Sequence, residues 1–192
     1  MLKIYRPTRI SQINQKFGKE NTMAECWPFY NELGLQGHNG WDIGTPIGEK
    51  IYWPAESEGT VTYLSTDINA GLGVEIFYEH DGRYWKQLFW HLSEIKCKIG
   101  QKLGSGDLIG LTGNTGKYTT GPHLHWGLKE VGKTDNGSYY TLNHDNGYKG
   151  AIDIAPFFVN EFVVDVVNTL KKKIGLLQLL LELWRKLKEL IK

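Results

Sequence analysis

The chain has 192 residues, with 22 Lys and Arg against 21 Asp and Glu, so its formal net charge is +1. This length fits one domain of ordinary size with a short appendage, and the near-neutral charge argues against nucleic acid as the main partner. Glycine occurs 23 times, and the aromatic residues comprise 7 Trp, 10 Tyr and 7 Phe. That composition favours many short strands joined by tight turns.

The N-terminal segment and the cysteines bear on the compartment in which the chain is made. The segment MLKIYRPTRI lacks the apolar core of a secretory signal, and no run reaches the ~20 apolar residues of a membrane-spanning helix. We therefore expect synthesis in the cytoplasm. Cys26 and Cys97 are too few for a disulfide framework or a four-thiolate zinc site. Of a disulfide and two buried free thiols, we favour the free thiols, because unpaired cysteine is often buried.

The sequence changes character near residue 160. Residues 1–160 are rich in Gly, Trp and Tyr, whereas residues 161–192 contain one Gly, no Pro and a dense pattern of Leu and Lys. The tail carries a charge of +3, which leaves −2 for the rest of the chain. We predict a β domain over residues 1–160 and a helix over residues 161–192.

Within the first part, five segments have the composition and length of strands. They are residues 60–64, 73–78, 84–90, 107–111 and 123–131. An Asp81-Gly82 pair lies between the second and third segments, and Asp-Gly between two such runs is a strong hairpin signal. The pattern predicts a mostly β domain of antiparallel strands, arranged as a sandwich or a barrel-like sheet.

The tail predicts an amphipathic helix with one apolar seam. Its leucines recur at alternating spacings of four and three residues: Leu176, Leu180, Leu183, Leu187 and Leu190. Three interpretations remain open for residues 171–192. The helix packs on its own domain or forms a homo-oligomer with a sister chain, it lies on an anionic membrane through its basic residues, or it docks onto another protein.

Three short motifs bring metal-ligating residues into a suggestive order. His38 and Asp42 lie in Gly-His-Asn-Gly-Trp-Asp, His91 in Trp-His-Leu-Ser, and His123 with His125 in Gly-Pro-His-Leu-His-Trp. Residues two or four apart in extended chain share a face, so each pair projects to one side. Two histidines and one aspartate offer an N, N, O ligand set, which suits zinc with a fourth position left for water.

Each motif also has an ordinary interpretation when it is taken alone. A single His91 on a strand is usually a packed or surface histidine, and His38 with Asp42 could form a hydrogen-bonded turn. The three motifs in this order, flanked by Gly and Pro, are much more specific. We interpret His80 as a residue at the tip of a hairpin and His144 as a polar loop residue.

With these motifs the chain resembles the lysostaphin-type, or LytM-like, zinc metallopeptidases. Their signature is His-x-x-x-Asp, then a His followed by Leu-Ser, then Gly-Pro-His-Leu-His, and all three occur here. The likeness covers roughly residues 10–158. It implies the duplicated hybrid motif fold, with a central antiparallel sheet and a groove over the metal. It also implies that His38, Asp42 and His125 ligate Zn²⁺, while His91 and His123 are catalytic without binding it.

The resemblance implies a zinc metalloendopeptidase that hydrolyses cross-links or stem peptides of bacterial peptidoglycan. No His-Glu-x-x-His motif supplies a glutamate base, so His91 and His123 are the groups left for proton transfer and oxyanion stabilisation. Which of them is the base stays open, and so does whether the nearby aromatic residues Trp27, Phe29 and Tyr30 line the groove or only pack.

The resemblance implies that the chain acts at the bacterial cell wall. Because no signal peptide is seen, we expect it to reach the wall as a phage-type lysin, on a virion or by non-classical export. Two further functions stay open. One is a non-enzymatic zinc-holding module that binds the wall or activates another protein. The other is an assembly protein whose function lies in the tail helix.

Overall fold

Strands are the commonest regular element of the computed structural model, which describes the backbone of residues 1–190 and the side chains as far as Lys186. Two α-helices occur there, α1 (Trp27–Glu32) and α2 (Val163–Leu190). The strands are β1 (Ile4–Arg6), β2 (Ile13–Gln15), β3 (Trp41–Gly44), β4 (Lys50–Tyr52), β5 (Gly59–Asp67), β6 (Gly71–His80), β7 (Arg83–Leu92), β8 (Glu94–Ile95), β9 (Lys102–Leu103), β10 (Leu108–Leu111), β11 (His123–Lys133), β12 (Tyr139–Thr141), β13 (Ala151–Ile152) and β14 (Phe158–Phe162).

A large sheet with the order β2-β3-β11-β7-β6-β5-β9 organises the domain. Its neighbouring strands pair antiparallel throughout, and β12 and β13 add to β11. The five segments predicted as strands correspond to β5, β6, β7, β10 and β11. The predicted hairpin joins β6 to β7, with His80 at its tip. The mostly β, antiparallel fold class is therefore confirmed.

Alternation along the strands decides which face of the large sheet is buried. Val74 and Ile76 of β6 have no exposed surface, as do Leu124 and Trp126 of β11. They join one hydrophobic cluster with Ile51 of β4 and other residues of the small sheet β4-β10-β8. Since successive residues of a strand point to opposite faces, the intervening residues lie on the other face of the large sheet, where the histidines of β11 are found.

A parallel pair of strands closes the domain where the helix begins. Ile4 and Tyr5 of β1 pair with residues of β14, and Tyr5 joins Phe162 and Val163 in a second, smaller cluster. The strand thus runs two residues past the division predicted at residue 160, and α2 begins at Val163. The assignment of residues 161–192 to a separate unit stays a prediction.

The tail forms the predicted helix, but its leucines do not pack on the domain. Val164, Val166 and Val167 still contact the small cluster. Farther along, the apolar residues Leu170, Leu176, Leu177, Leu179, Leu180, Leu181 and Leu183 are each more than half exposed. Of the interpretations left open, packing of the seam on its own domain is therefore excluded for the described part of α2. Leu187 and Leu190 of the seam lie outside the described side chains.

Two smaller expectations can be compared with the described structure. No helix within residues 1–190 is long and apolar enough to cross a membrane. Cys26 and Cys97 are both free, as predicted. Cys26 is buried, but Cys97 is only partly so, because it packs at the margin of the main cluster instead of inside it.

Candidate metal centre and catalytic groove

Two adjacent strands carry the central residues of the candidate site. Asp42 of β3 lies directly opposite His125 of β11 in the antiparallel register. His38 precedes β3 and is fixed by an isolated bridge to Gly18. His123 and His125 are alternate residues of β11, so their side chains share a face, as the His-Leu-His spacing predicted.

Three side chains converge on one point between these strands. The His38 Nε2 atom lies 3.1 Å from Asp42 Oδ1 and 3.1 Å from His125 Nδ1, and His125 Nδ1 lies 3.0 Å from Asp42 Oδ1. Ligand atoms about 2.0–2.1 Å from a tetrahedral zinc ion are separated from one another by about 3.3 Å. The three atoms are therefore spaced as zinc ligands require, with small adjustments.

Hydrogen bonds outside the triad orient its members. The His38 Nδ1–H donates to the Lys16 carbonyl at 2.9 Å, which leaves the lone pair of the neutral ring on Nε2, facing the other two ligands. Burial alone would raise the pKa of Asp42, but the charge of His38 in its protonated form, with the hydrogen bonds that His38 and His125 then donate, holds that pKa well below its usual range. The site therefore holds an ionised carboxylate beside two imidazole nitrogens, a donor set that a divalent cation satisfies.

The two remaining histidines are held beside the triad by backbone carbonyls. The His91 Nδ1–H donates to the Thr115 carbonyl at 2.9 Å, and the His123 Nδ1–H donates to the Gly121 carbonyl at 2.7 Å. In each neutral ring the lone pair is consequently on Nε2. The ring centroids of His91 and His123 are 4.7 Å apart, and His123 Nε2 lies 3.6 Å from Asp42 Oδ1.

His91 reaches the site through an unusual backbone conformation. Alternation along β7 sends Phe89 into the core and Trp90 to the groove, so the next residue should face the core again. Instead, His91 has a φ of 65°, and it lines the groove together with Trp90. A left-handed conformation costs a non-glycine residue roughly 1–2 kcal/mol, and such strain is concentrated at functional positions.

Gly40 is needed for the close approach of the chain to His125. A Cβ atom at this position would lie 2.8 Å from His125 Nε2 and 2.7 Å from the Trp126 carbonyl oxygen. Both distances are well inside van der Waals contact. The glycine therefore lets the segment between His38 and Asp42 pass against the back of the His125 ring.

A groove of about 850 Å³ runs over the metal centre. Phe29, Tyr30, Trp90 and Tyr118 line it, whereas Trp27 does not and contacts the edge of the Tyr30 ring instead. Of the three aromatic residues for which the sequence left this open, Phe29 and Tyr30 therefore line the groove and Trp27 does not. Sequence reasoning missed Tyr118, and the only signal for it was its place after the Gly-rich segment that supplies the Thr115 carbonyl.

The burial of His91 has an electrostatic consequence. Burial, and then the proximity of His123 and His125, lowers the pKa of His91 to about 4. The ring is therefore neutral at pH 7, with an unprotonated Nε2 beside the triad. His80 and His144 lie elsewhere: His80 contacts Ser57, and His144 is exposed in a turn beside Asp145. Within the described residues, His38, Asp42 and His125 form the one group with the spacing of a metal site.

Comparison with known protein families assigns the domain. The model of peptidase family M23 matches residues 36–139, a stretch that contains all five site residues. The chain belongs to peptidase family M23. The match confirms the resemblance to lysostaphin-type peptidases that the three motifs predicted.

Individual M23 relatives are similar over about half of this chain. The peptidoglycan DD-endopeptidase ShyA of Vibrio cholerae is 41% identical over 99 residues, 52% of this chain and 22% of ShyA. The glycyl-glycine endopeptidase ALE-1 of Staphylococcus capitis is 31% identical over 141 residues, 61% of this chain and 36% of ALE-1. The chain thus spans only a fifth to a third of these relatives.

A solved structure is similar over a longer stretch. The match to the crystal structure of a zinc-containing peptidase from Vibrio cholerae covers 79% of this chain and 38% of that peptidase, with 27% sequence identity and a TM-score of 0.56. The likeness to that solved structure thus extends over most of this chain, while more than half of the solved chain lies outside the match.

Proposed function

We propose that this chain is a zinc-dependent endopeptidase of bacterial peptidoglycan. The observation that carries the proposal is the meeting of His38, Asp42 and His125 within about 3.1 Å of one another, beside two further histidines that do not belong to the triad. The triad would hold the zinc ion, and His91 and His123 would act on the substrate. Peptide hydrolysis needs both functions in one groove.

The chemistry divides between the metal and the two other histidines. Zinc in such a site supplies a Lewis acid that polarises the scissile carbonyl and acidifies water. In the neutral form of His91 and of His123 the lone pair is on Nε2, because the Nδ1–H of each ring is committed to a carbonyl. One ring accepts the proton of the attacking water, and a protonated ring then donates a hydrogen bond to the developing oxyanion.

The substrate follows from the relatives. ShyA is a peptidoglycan DD-endopeptidase and ALE-1 a glycyl-glycine endopeptidase, and each is similar to about half of this chain or more. We propose that the chain acts at the bacterial cell wall. The groove has room for a peptide between Tyr30 and Trp90, and the bond cleaved is one of the linkages that these relatives hydrolyse.

The test combines metal content with lysis of isolated walls. Wild type should bind one zinc per chain and clear a peptidoglycan suspension, and a chelator should abolish the clearing. His125→Ala should lose both properties, whereas His144→Ala, which changes an exposed histidine outside the site, should keep both. Absence of stoichiometric zinc from wild type would overturn the proposal. Zinc and wall binding without clearing would favour the non-enzymatic wall-binding module.

The exposed leucines of α2 add a contact outside the domain. We propose that the helix beyond Leu170 meets either a second copy of the chain or an anionic membrane, since the leucines of its described part from Leu176 to Leu183 are each more than half exposed. Light scattering of the full chain and of residues 1–169 distinguishes the two. A larger mass for the full chain shows assembly, whereas equal mass with loss of binding to anionic vesicles shows membrane contact. If the full chain and residues 1–169 differ neither in mass nor in vesicle binding, both proposed contacts are contradicted.

A further inference from the structure

The groove continues past the metal centre along the same face of the large sheet. Gly127 and Lys129 follow His125 on β11 at alternate positions, so they face the groove as His125 does. At about 3.4 Å per residue, Lys129 lies roughly 13 Å along the strand from His125. Gly127 has no side chain, which keeps the floor of the groove open between the two.

Lys129 has too little negative charge around it. Its charged neighbours are Lys86, Lys149 and Glu75, and Glu75 already forms an ion pair of 2.7 Å with Lys86. Within the described residues, no hydrogen bond or ion pair is made by the Lys129 ammonium. Burial, and then the charge of Lys86, lowers the pKa of Lys129 to about 8. Three ammonium groups therefore share one carboxylate at this end of the groove.

Lys149 is brought to the groove by a constrained loop. Its φ of 52° is left-handed, a conformation that glycine adopts without strain. The Asn146 side chain holds the loop in place, accepting hydrogen bonds from the backbone N–H groups of Tyr148 and Gly150. Lys149 thus lines the same groove as Lys129 from a loop position that favours glycine.

We propose that Lys129 and Lys149 bind a carboxylate of the peptide substrate at the end of the groove remote from the zinc ligands. The inference rests on the proposed peptidase function and names a feature of its substrate. A carboxylate supplies the charge that the cluster lacks, and lysine ammonium groups bind carboxylates with charge-assisted hydrogen bonds. An extended peptide advances about 3.4 Å per residue, so the carboxylate belongs roughly two to four residues from the bond cleaved.

The experiment compares two forms of one substrate on the zinc-loaded enzyme. Peptidoglycan peptide dimers with free carboxyl groups and the same dimers after conversion to carboxamides are titrated by calorimetry and assayed for cleavage. Lys129→Met and Lys149→Gly each remove one ammonium group. Two control variants make the same kinds of change away from the cluster. Lys102→Met removes one ammonium group from the exposed edge strand β9, where Lys102 pairs with Glu58. Asn143→Gly places glycine at another left-handed position of the loop region that contains Lys149.

Lys129→Met and Lys149→Gly should each raise the Kd of the carboxyl dimer roughly tenfold, as expected for the loss of one charge-assisted contact. The Kd of the amidated dimer should stay within twofold, and both control variants should match wild type for both dimers. Thermal melting confirms that each variant is folded.

Equal affinity of wild type for the two dimers would overturn the inference. It would also be overturned if inorganic phosphate displaced both dimers equally and Lys129→Met removed that effect, since the cluster would then serve phosphate. Failure to cleave either dimer, with the affinity difference intact, would count against the proposed hydrolysis and leave carboxylate recognition standing.

Discussion

Replacing Gly40 with Ala would place a methyl group against the back of the His125 ring. The new Cβ atom would lie 2.8 Å from His125 Nε2, where ordinary contacts begin at 3.4 Å. The ring must therefore retreat by about 0.6 Å, unless the chain at residue 40 moves away from the Trp126 carbonyl oxygen as well. Gly40 is not among the residues with a positive φ, so the effect of alanine is steric and does not come from backbone strain.

A displacement of that size exceeds the tolerance of about 0.5 Å within which a functional site must be held. We expect the zinc affinity to fall by roughly 10–100-fold, the range found when the support of a ligand is disturbed. Each tenfold loss corresponds to about 1.4 kcal/mol. Competition with a chromogenic chelator measures the affinity, and the zinc-dependent rise in Tm gives a second measure.

Gly127→Ala is the matched control. It lies two residues from His125 on the same strand, and its Cβ would meet a flexible Leu88 methyl group at 3.3 Å, with the Leu88 Cβ and the Asn39 carbonyl oxygen at the ordinary distances of 3.5 and 3.8 Å. Its zinc affinity should equal that of wild type. If Gly40→Ala binds zinc as tightly as Gly127→Ala does, the tight passage behind His125 is not what positions the ligand.

Three further predictions concern His91 and the end of β14. Burial lowers the pKa of His91 from 6.5 to about 4. Between these two values the unfolded chain binds a proton that the folded chain does not, so the stability of the fold rises with pH over that range. His91→Gln should flatten this rise in the Tm of the zinc-free protein. His91→Gly should be about 1 kcal/mol more stable than His91→Ala in urea, because glycine avoids the left-handed penalty of roughly 1–2 kcal/mol and loses only part of that gain to its greater unfolded-state entropy; equal stabilities would contradict the strain. Residues 1–169 should be more stable than residues 1–160 by roughly 3 kcal/mol or more, since only the longer chain keeps Phe162 and Val163 buried, and coincident urea curves would refute that role.

The sequence predicted the features that follow from residue spacing within one strand or one turn. The spacing of His123 and His125 fixed their common face, because a strand alternates with period two. The Asp81-Gly82 turn likewise predicted the β6–β7 hairpin. The assignment of His38, Asp42 and His125 as a ligand group came from the resemblance, and the structure brings those three residues together.

Features that depend on distant backbone could not be predicted in this way. The carbonyls of Lys16, Thr115 and Gly121 orient three of the histidines, yet any residue type supplies a carbonyl, so no side-chain pattern marks them. The left-handed backbone of His91 could not be predicted from the sequence either, because alternation along β7 predicts that this side chain faces the core and not the groove. The exposure of the α2 leucines was missed for another reason: a helical period shows that a seam exists and does not show what covers it.

The parallel pair of β1 and β14 also sets how a pull on α2 would travel through the domain. The helix continues directly from β14, whose backbone hydrogen bonds to β1 lie across the direction of the strand. Tension along β14 therefore loads those bonds in shear, together with the contact of Tyr5 with Phe162, before it reaches β13 and the large sheet. A helix held by a membrane or by another chain would bear load there while the spacing of the three candidate ligand atoms stays unchanged.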